Sequence, residues 1–479
     1  METVKRWVMP AIQAVISLAL LFMVVSSGLL PGKYLWIAAA AVLLLLAVTV
    51  LFARSKSGAT RSLGSILAIF MSGMLVFATV YVQHIVKTLD RIAGADTQIE
   101  SMAVIVAKDN SAQTIEDTSG YKFGVYTGTA QEMMSDMIEE VKRSNGDDSI
   151  DTKEYDTPLE LAQGLLNGEV DAVICNVAYT GLLSDAITDY TDNTRVIFEK
   201  GFESKVEAGS ASAQGAESES RNMTDHAYTV LISGIDVNGP ISTTSRSDVN
   251  ILMTVNPLTH KILLTTTPRD YYVYIPEISG DMRDKLTHAG IYGVKTSMRT
   301  LEELYGIKIS DYVRINFDSL INLVDALGGV DVDSEYDFES YGFQFHKGIN
   351  HLDGEQALAF SRERYAFSSG DNQRGQNQML VLTAILDKLQ SPALLKNPSG
   401  VLEVMGSSMQ TSFTTDQITE LISWQLDNGQ GWEIERQAVT GTGDSQQTFS
   451  MKGTDLYVMW PDEEAVSEAA AKIAETMAN

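Results

Sequence analysis

The sequence sets charged side chains where apolar segments end. Asp236 follows "VLISGI", Arg246 and Asp248 stand in "TSRSDVN", Arg269 and Asp270 follow "LLTTTP", and Lys285 lies in the mixed-charge stretch "MRDKLTHAG". The stretch "AFSRERYAFSSGDNQRGQNQ" at 359–378 adds Arg362, Arg364, Asp371, Arg374 and Gln378. Guanidinium groups form bidentate, charge-assisted bonds to phosphate oxygens, and several can share one diphosphate. Asp236 and Asp248 would repel phosphate on their own. A divalent cation resolves that conflict, because Mg²⁺ takes one or two protein carboxylates together with substrate phosphates and water; Mn²⁺ is the alternative ion. Arginines beside such a cation suit phosphoryl transfer, where catalysis is mostly positioning and charge neutralisation. On composition and spacing alone, a plainer reading stands level with this one. Arg362 and Arg364 are two apart and share no helical face, and Arg374 with Asp371 is an ordinary i,i+3 helix pair.

The cluster is conspicuous because the chain is acidic, with 62 Asp and Glu against 35 Lys and Arg and a formal charge of -27. That balance argues against non-specific nucleic-acid binding and against docking on anionic lipid through a basic face. The single cysteine, Cys175, has no internal disulfide partner and sits in the apolar run "DAVICNVAY", which reads as a buried, inert thiol. The 6 histidines show no H-E-x-x-H or Cys/His pattern, and neither a G-x-S-x-G elbow nor a Walker A run occurs.

The elements that must position these residues begin with a membrane anchor. Three apolar segments, 7–30, 34–53 and 62–86, contain no Lys, Arg, Asp or Glu. Each has the roughly 20 residues needed to cross a bilayer. Two further spans follow the first at once, so it reads as a retained anchor rather than a signal peptide. Lys5 and Arg6 precede the first span, and Arg54, Lys56 and Arg61 lie between the second and third, against only Lys33 between the first and second. The positive-inside rule therefore places the N-terminus in the cytoplasm and everything after about residue 87 outside, in a multi-pass cytoplasmic-membrane protein.

Residues 98–200 alternate strand and helix patterns and predict a small α/β accessory domain. Its "YKFGVYTGTA…LAQGLLNGEVDAVI" resembles one lobe of extracytoplasmic solute-binding proteins, although the run is too short for two lobes, which favours a structural or regulatory role. Residues 201–225 are rich in Gly, Ser, Ala and Glu and predict a flexible linker. From 226 to 479 strands and helices mix. The strands "NILMTVN" and "KILLTTT" flank a hairpin turn at Pro257–His260, and amphipathic helices are predicted over "TSMRTLEELYG", "FDSLINLVDALGG" and "DNQRGQNQMLVLTAILDKLQ". The fold class is α/β or α+β, with a central mixed sheet flanked by helices.

The succession "GIDV…SRSDVNILMTVNP…TPRDYYVYI…DKLTHAG…LGGVDV…LDGEQALAFSRER…DNQRGQNQ" over 226–479 resembles the LytR-CpsA-Psr family. Three spans followed by an accessory domain are similar to that family's streptococcal CpsA capsule branch. The resemblance implies an enzyme, a Mg²⁺-dependent phosphotransferase that carries capsular or other cell-wall polysaccharide from a polyprenyl-pyrophosphate carrier to peptidoglycan. By motif, Asp236 and Asp248 would hold the metal. Arg246, Arg269, Arg362, Arg364 and Arg374 would grip the pyrophosphate, Lys285 and Gln378 would add contacts, and Asp371 would orient Arg374. Two departures stand out: Thr266 and Thr267 precede Pro268 where many members read "S-I-P-R-D", and Thr287 and His288 replace Asn and Ala in the "KINAAY" pattern.

The resemblance also implies an apolar groove for the lipid tail, with "INLVDAL" and "MLVLTAIL" as candidates to line it. Asp371, as a free carboxylate, is a candidate to take the acceptor's hydroxyl proton. Membrane lipid and other capsule-assembly proteins are expected partners, and nucleic acid is not. Two rivals remain: a polyprenyl-pyrophosphate hydrolase using the same residues, and a membrane-bound regulator of capsule expression. The few residues placed in the cytoplasm leave no room for a helix-turn-helix.

Overall fold

A computed structural model describes residues 2–93, 97–147, 149–206, 222–236, 240–367, 370–391 and 398–478. Helices α1 (Glu2–Ser26), α2 (Gly32–Arg54) and α3 (Gly58–Ile92) pack on one another and are long and apolar enough to cross a membrane. Their outward residues, Leu18, Phe22, Leu44 and Phe77 among them, are exposed apolar side chains suited to lipid. Inside, the Thr49 hydroxyl donates to Gln13 Oε1 at 2.7 Å, a buried polar link of the kind that holds helices together in an apolar medium. Helix α1 stops before the predicted end of the first span, because Gly28 turns the chain at φ +65° and Pro31 follows. Helix α3 outruns its predicted span. Its 35 residues, at 1.5 Å each, reach about 52 Å against a hydrocarbon core of about 30 Å, so its last turns extend past the apolar layer.

The next unit has strands β1 (Thr97–Ala107), β2 (Lys122–Tyr126), β3 (Asp151–Tyr155), β4 (Ala172–Asn176) and β5 (Thr194–Lys205). Helices α4 (Gln131–Asn145), α5 (Pro158–Leu166), α6 (Thr180–Ala186) and α7 (Tyr190–Asn193) accompany them. The sheet order is β3-β2-β4-β1-β5, with β2 parallel to β3 and β4, and β1 antiparallel to both of its neighbours. Cys175 is buried in β4, and burial pushes its thiol up to about 12, which leaves it unreactive as expected. Strand β5 corrects the linker boundary. It pairs with β1 out to Lys205↔Thr97, so 201–205 are strand, and Met223 is fully buried. The backbone ladder, not side-chain burial, fixes this stretch, whose residues are largely exposed. Residues 207–221 of the predicted linker lie outside the described residues.

The remaining strands are β6 (Tyr228–Ile235), β7 (Ser247–Asn256), β8 (Lys261–Thr266), β9 (Tyr272–Val273), β10 (Asp284–Lys285) and β11 (Asp311–Ile315), then β12 (Val330–Ser334), β13 (Phe338–Ser340), β14 (Phe343–Phe345) and β15 (Gly348–Leu352), and last β16 (Gln410–Thr411), β17 (Glu433–Ala438), β18 (Gly441–Thr448) and β19 (Met451–Pro461). Their helices are α8 (Val294–Tyr305), α9 (Phe317–Ala326), α10 (Gly354–Arg362), α11 (Asp371–Gln390), α12 (Pro398–Ser408), α13 (Thr415–Asn428) and α14 (Glu463–Met477). A six-stranded mixed sheet of order β16-β11-β6-β7-β8-β17 forms the centre. The predicted β7–β8 hairpin is present, its turn fixed by Asn256 Oδ1, which accepts from the backbone N–H of Leu258 and Thr259.

Alternation along the strands divides the sheet's two faces. Leu231, Leu252 and Leu263 pack with α8 and α14, while Val230, Ile232, Ile251 and Ile262 pack with α11 and α13. The membrane helices are tied to this unit by the Lys33–Asp427 ion pair at 3.0 Å and by Thr415 Oγ1 donating to Asp90 at 3.0 Å.

Helices α9 and α10 approach closely at Gly354, where a Cβ would lie 2.4 Å from the Ile321 carbonyl oxygen. Backbone cannot yield as a flexible side-chain end would. Gly354→Ala is expected to cost about 1–3 kcal/mol, read as a lower denaturation midpoint of the detergent-purified protein; an unchanged midpoint would contradict the close approach.

Candidate active site

A cavity of about 420 Å³ opens at the ends of β6, β7 and β8, and the sequence-predicted cluster lines it. Asp236 lies one residue past β6, and Arg246 one residue before β7, which carries Asp248. The β6–β7 register slips between Gly234 and Ile235, a bulge that re-aims side chains at this end of the sheet. Arg269 follows β8 after Pro268, Arg362 closes α10, Arg364 follows it, and Arg374 and Gln378 stand one turn apart near the start of α11. The rest of the lining is largely apolar, with Ile232, Ile251, Leu320, Val381 and Ile385 among it.

The charges are interleaved. Arg269 Nη1 donates to Asp248 Oδ2 at 2.9 Å, its Nε lies 3.7 Å from Asp270 Oδ2, and Lys285 Nζ bonds Asp270 Oδ1 at 3.0 Å. Arg246 bonds Asp185 Oδ2 at 2.9 Å and Asp236 Oδ2 at 3.4 Å, and Arg374 pairs with Asp371. The Arg362 guanidinium lies over the Phe317 ring at 4.3 Å, and that of Arg364 over the Tyr365 ring at 4.6 Å. Burial pushes the Asp248 carboxyl up, but Arg269, Arg246 and the Thr287 hydroxyl outweigh it and hold it at about 2. Burial also raises Asp371, and there the neighbouring guanidiniums do not compensate. Arg374 is lowered by the same burial, whereas for Arg269 the carboxylates of Asp248 and Asp270 overcome burial and raise it.

The cavity thus gathers Asp236, Arg246, Asp248, Arg269, Arg362, Arg364, Arg374 and Gln378. Two predicted residues fall elsewhere. Lys285 is buried beneath Arg269 on Asp270 and does not line the cavity, so its ammonium neutralises a carboxylate rather than facing a ligand. Asp371 lines a small adjoining cavity with Asn372 and Gly375, and its pairing with Arg374 means it is not a free carboxylate. The tail-groove candidates divide as well. Val381, Leu382 and Ile385 of "MLVLTAIL" line the cavity, but from α9 it is Phe317 and Leu320, while Leu323, Val324 and Leu327 of "INLVDAL" face the core.

Both departures from the family pattern acquire roles. Thr267 shares a hydrogen bond with the Tyr305 hydroxyl at 2.8 Å, and Thr287 Oγ1 donates to Asp248 Oδ1 at 2.8 Å. His288 is buried against Asp284, which also accepts from Ser450, a structural tie to the β18–β19 ribbon. Asp185, Phe317 and Tyr341 also line the cavity and had no signal in the local sequence.

Comparison with known proteins places this site in a family. The model of the LytR_cpsA_psr family matches residues 196–470, and the chain belongs to that family. A polyisoprenyl-teichoic acid–peptidoglycan teichoic acid transferase TagU from Enterococcus faecalis is 34% identical over 232 residues, 48% of this chain and 75% of that protein. The protein of the same name from Oceanobacillus iheyensis is 34% identical over 205 residues, 41% of this chain and 62% of its own length. Among solved structures, B. subtilis TagU is 28% identical with a TM-score of 0.42, covering 53% of this chain and 98% of that one.

Asp248 also yields a stability test. Its folded value of about 2 lies below the ordinary 3.8, so its contribution is complete above pH 3.8 and is lost as pH falls through 2. The linkage amounts to about 2 kcal/mol. Asp248→Asn is expected to remove that part of the acid dependence in pH-dependent denaturation; a wild-type slope between those pH values would contradict the pairing.

Proposed function

We propose that this protein transfers a capsular or other cell-wall polysaccharide from a polyprenyl-pyrophosphate carrier to peptidoglycan at the outer face of the cytoplasmic membrane. The observation that carries the reading is one cavity lined by both five guanidiniums and aliphatic side chains. A lipid diphosphate needs both chemistries side by side. The relatives' names describe a polyisoprenyl-linked polymer and peptidoglycan, which supports the same substrate classes here.

In this reading Arg246, Arg269, Arg362, Arg364 and Arg374 hold the diphosphate oxygens, and Gln378 adds a polar contact. A peptidoglycan sugar hydroxyl attacks the sugar-bearing phosphorus. The new oxygen–phosphorus bond forms as the bond to the bridging oxygen breaks, the hydroxyl proton passes to the departing phosphate or to water, and polyprenyl phosphate leaves with the charge that the guanidiniums disperse. Asp236 and Asp248 are the residues that would hold Mg²⁺. Two carboxylates are what Mg²⁺ commonly takes from a protein, the remaining positions going to substrate phosphate and water. The ion would supply charge neutralisation at the phosphates, and Asp248 fits because it stays ionised at neutral pH. Burial keeps the Asp371–Arg374 pair beside the same wall, where Asp371 orients Arg374.

The assay uses the full chain in detergent with lipid-pyrophosphate-linked oligosaccharide, peptidoglycan fragments and Mg²⁺. Arg269→Ala and Asp248→Ala are each expected to lower sugar joined to peptidoglycan about 100-fold or more, and EDTA to abolish it. Polyprenyl phosphate released without joined sugar would make the protein a hydrolase instead.

Residues after about 87, the cavity included, face outward in this proposal, with the N-terminus in the cytoplasm. Reporters fused at the N-terminus and at residue 479 are expected to report opposite sides; a cytoplasmic C-terminus would overturn the reading.

A further inference from the structure

We propose that Asp185, carried by α6 of the five-stranded unit, is a counter-anion built into the diphosphate site: it holds Arg246 until a substrate phosphate oxygen replaces it, so the accessory unit sets the site's affinity. The inference rests on the reading of the cavity as a diphosphate site, and names a residue of that site from outside the sheet that carries the arginines.

Asp185 Oδ2 accepts from Arg246 Nη1 at 2.9 Å and lines the same cavity as the five guanidiniums. Arg246 is confined, its side chain 12% exposed, whereas Asp185 is 39% exposed and needs little desolvation to be released into water. The guanidinium cannot retreat instead. Gly181, also on α6, stands so near that a Cβ there would lie 2.7 Å from its Cζ and Nη2. The second carboxylate on Arg246, Asp236, is 3.4 Å from Nη2, the longer of the two bonds. A dianionic diphosphate entering beside Asp185 meets both repulsion and an occupied donor, and exchange relieves both.

The five-stranded unit delivers this carboxylate from a fixed position. Ile99 donates to the Ser242 carbonyl and accepts from Thr244 N–H, both at 2.8 Å, immediately before Arg246 in the chain. Gln410 Nε2 donates to the Thr97 carbonyl at 2.7 Å. Ile291, Met451 and Leu456 share one apolar core with Leu182 and Leu183 of α6. The affinity penalty is therefore a property of how the two units are joined, and follows competition: the apparent Kd rises as the reciprocal of the fraction of Arg246 left free by Asp185.

The test titrates inorganic pyrophosphate, at fixed Mg²⁺, into the full-length protein in detergent. Asp185→Asn keeps the shape and a carbonyl oxygen but removes the charge. It is expected to bind pyrophosphate about threefold to fivefold more tightly, with an unchanged thermal midpoint before ligand is added. The gain should vanish in the Arg246→Ala background. Gly181→Ala, which pushes the guanidinium aside, should weaken binding instead. Equal or weaker binding by Asp185→Asn would overturn the proposal and make Asp185 a residue that orients Arg246, and a gain that persists without Arg246 would overturn the pairing. Wild-type protein that binds no pyrophosphate would overturn the diphosphate reading itself and this inference with it.

Discussion

Like charges cannot be gathered under a protein surface unless opposite charges separate them, and the rest of this structure depends on how that is done. The pair between Arg269 and Asp248, 2.9 Å long, is the centre of the arrangement. Around it the chain alternates sign: Lys285 on Asp270, Asp270 beside Arg269, Asp248 between Arg269 and Arg246, and Asp371 on Arg374. Each carboxylate lowers the cost of desolvating a guanidinium, and each guanidinium does the same for its carboxylate. Where the balance is less complete the charges show it. Asp371 is pushed up and Arg374 down by burial, while Asp248, with two guanidiniums and a hydroxyl, is held low.

The sheet makes such an arrangement stiff enough to be useful. Three neighbouring strands, β6, β7 and β8, end together and present Asp236, Asp248 and Arg269 from a framework packed on both faces. The other arginines come from the end of α10, the segment after it and the start of α11. Asp353 and Gln356 form a reciprocal capping box that fixes where α10 begins, and hence where Arg362 ends it. Charged groups on rigid termini lose little freedom on meeting an anion, which is the condition for electrostatic stabilisation without reorganisation.

The sequence made much of this legible because strand ends are marked by local patterns. Apolar runs stopping at "DV", "RSD" and "PRD" mark Asp236, Arg246, Asp248 and Arg269 locally, whereas the roles of Arg374 and Gln378 come only with the family motif, their spacing alone reading as an ordinary helix face. What stayed hidden was set by tertiary pairing. Lys285 looks like a ligand contact until Asp270 is seen to occupy its ammonium. Thr287 looks like a lost asparagine until its hydroxyl is found on Asp248. Asp185 has no local signal at all, because only the packing of α6 against the second sheet brings it to Arg246. Strands β3 and β5 carry little local sign for a related reason. "DTKEY" and "GFESK" hold few apolar side chains, and their extended form comes from backbone bonds to β2 and β1.

The apolar lining of the cavity is connected to the membrane end by packed helices. Helix α12 contacts both α3 and α9. At Gly406 a Cβ would lie 3.2 Å from Ile92 and 3.5 Å from Thr88, so α12 sits close against the last turn of α3. Helix α9 in turn gives Phe317 and Leu320 to the cavity. Phe317 therefore stands at the junction, its ring under the Arg362 guanidinium and its neighbours aliphatic. Its ring face takes the guanidinium in a cation–π contact, while the same ring lines the cavity beside aliphatic residues. The same cavity thus sets guanidiniums and aliphatic side chains next to one another, with the helices that carry its apolar lining running back to the membrane end.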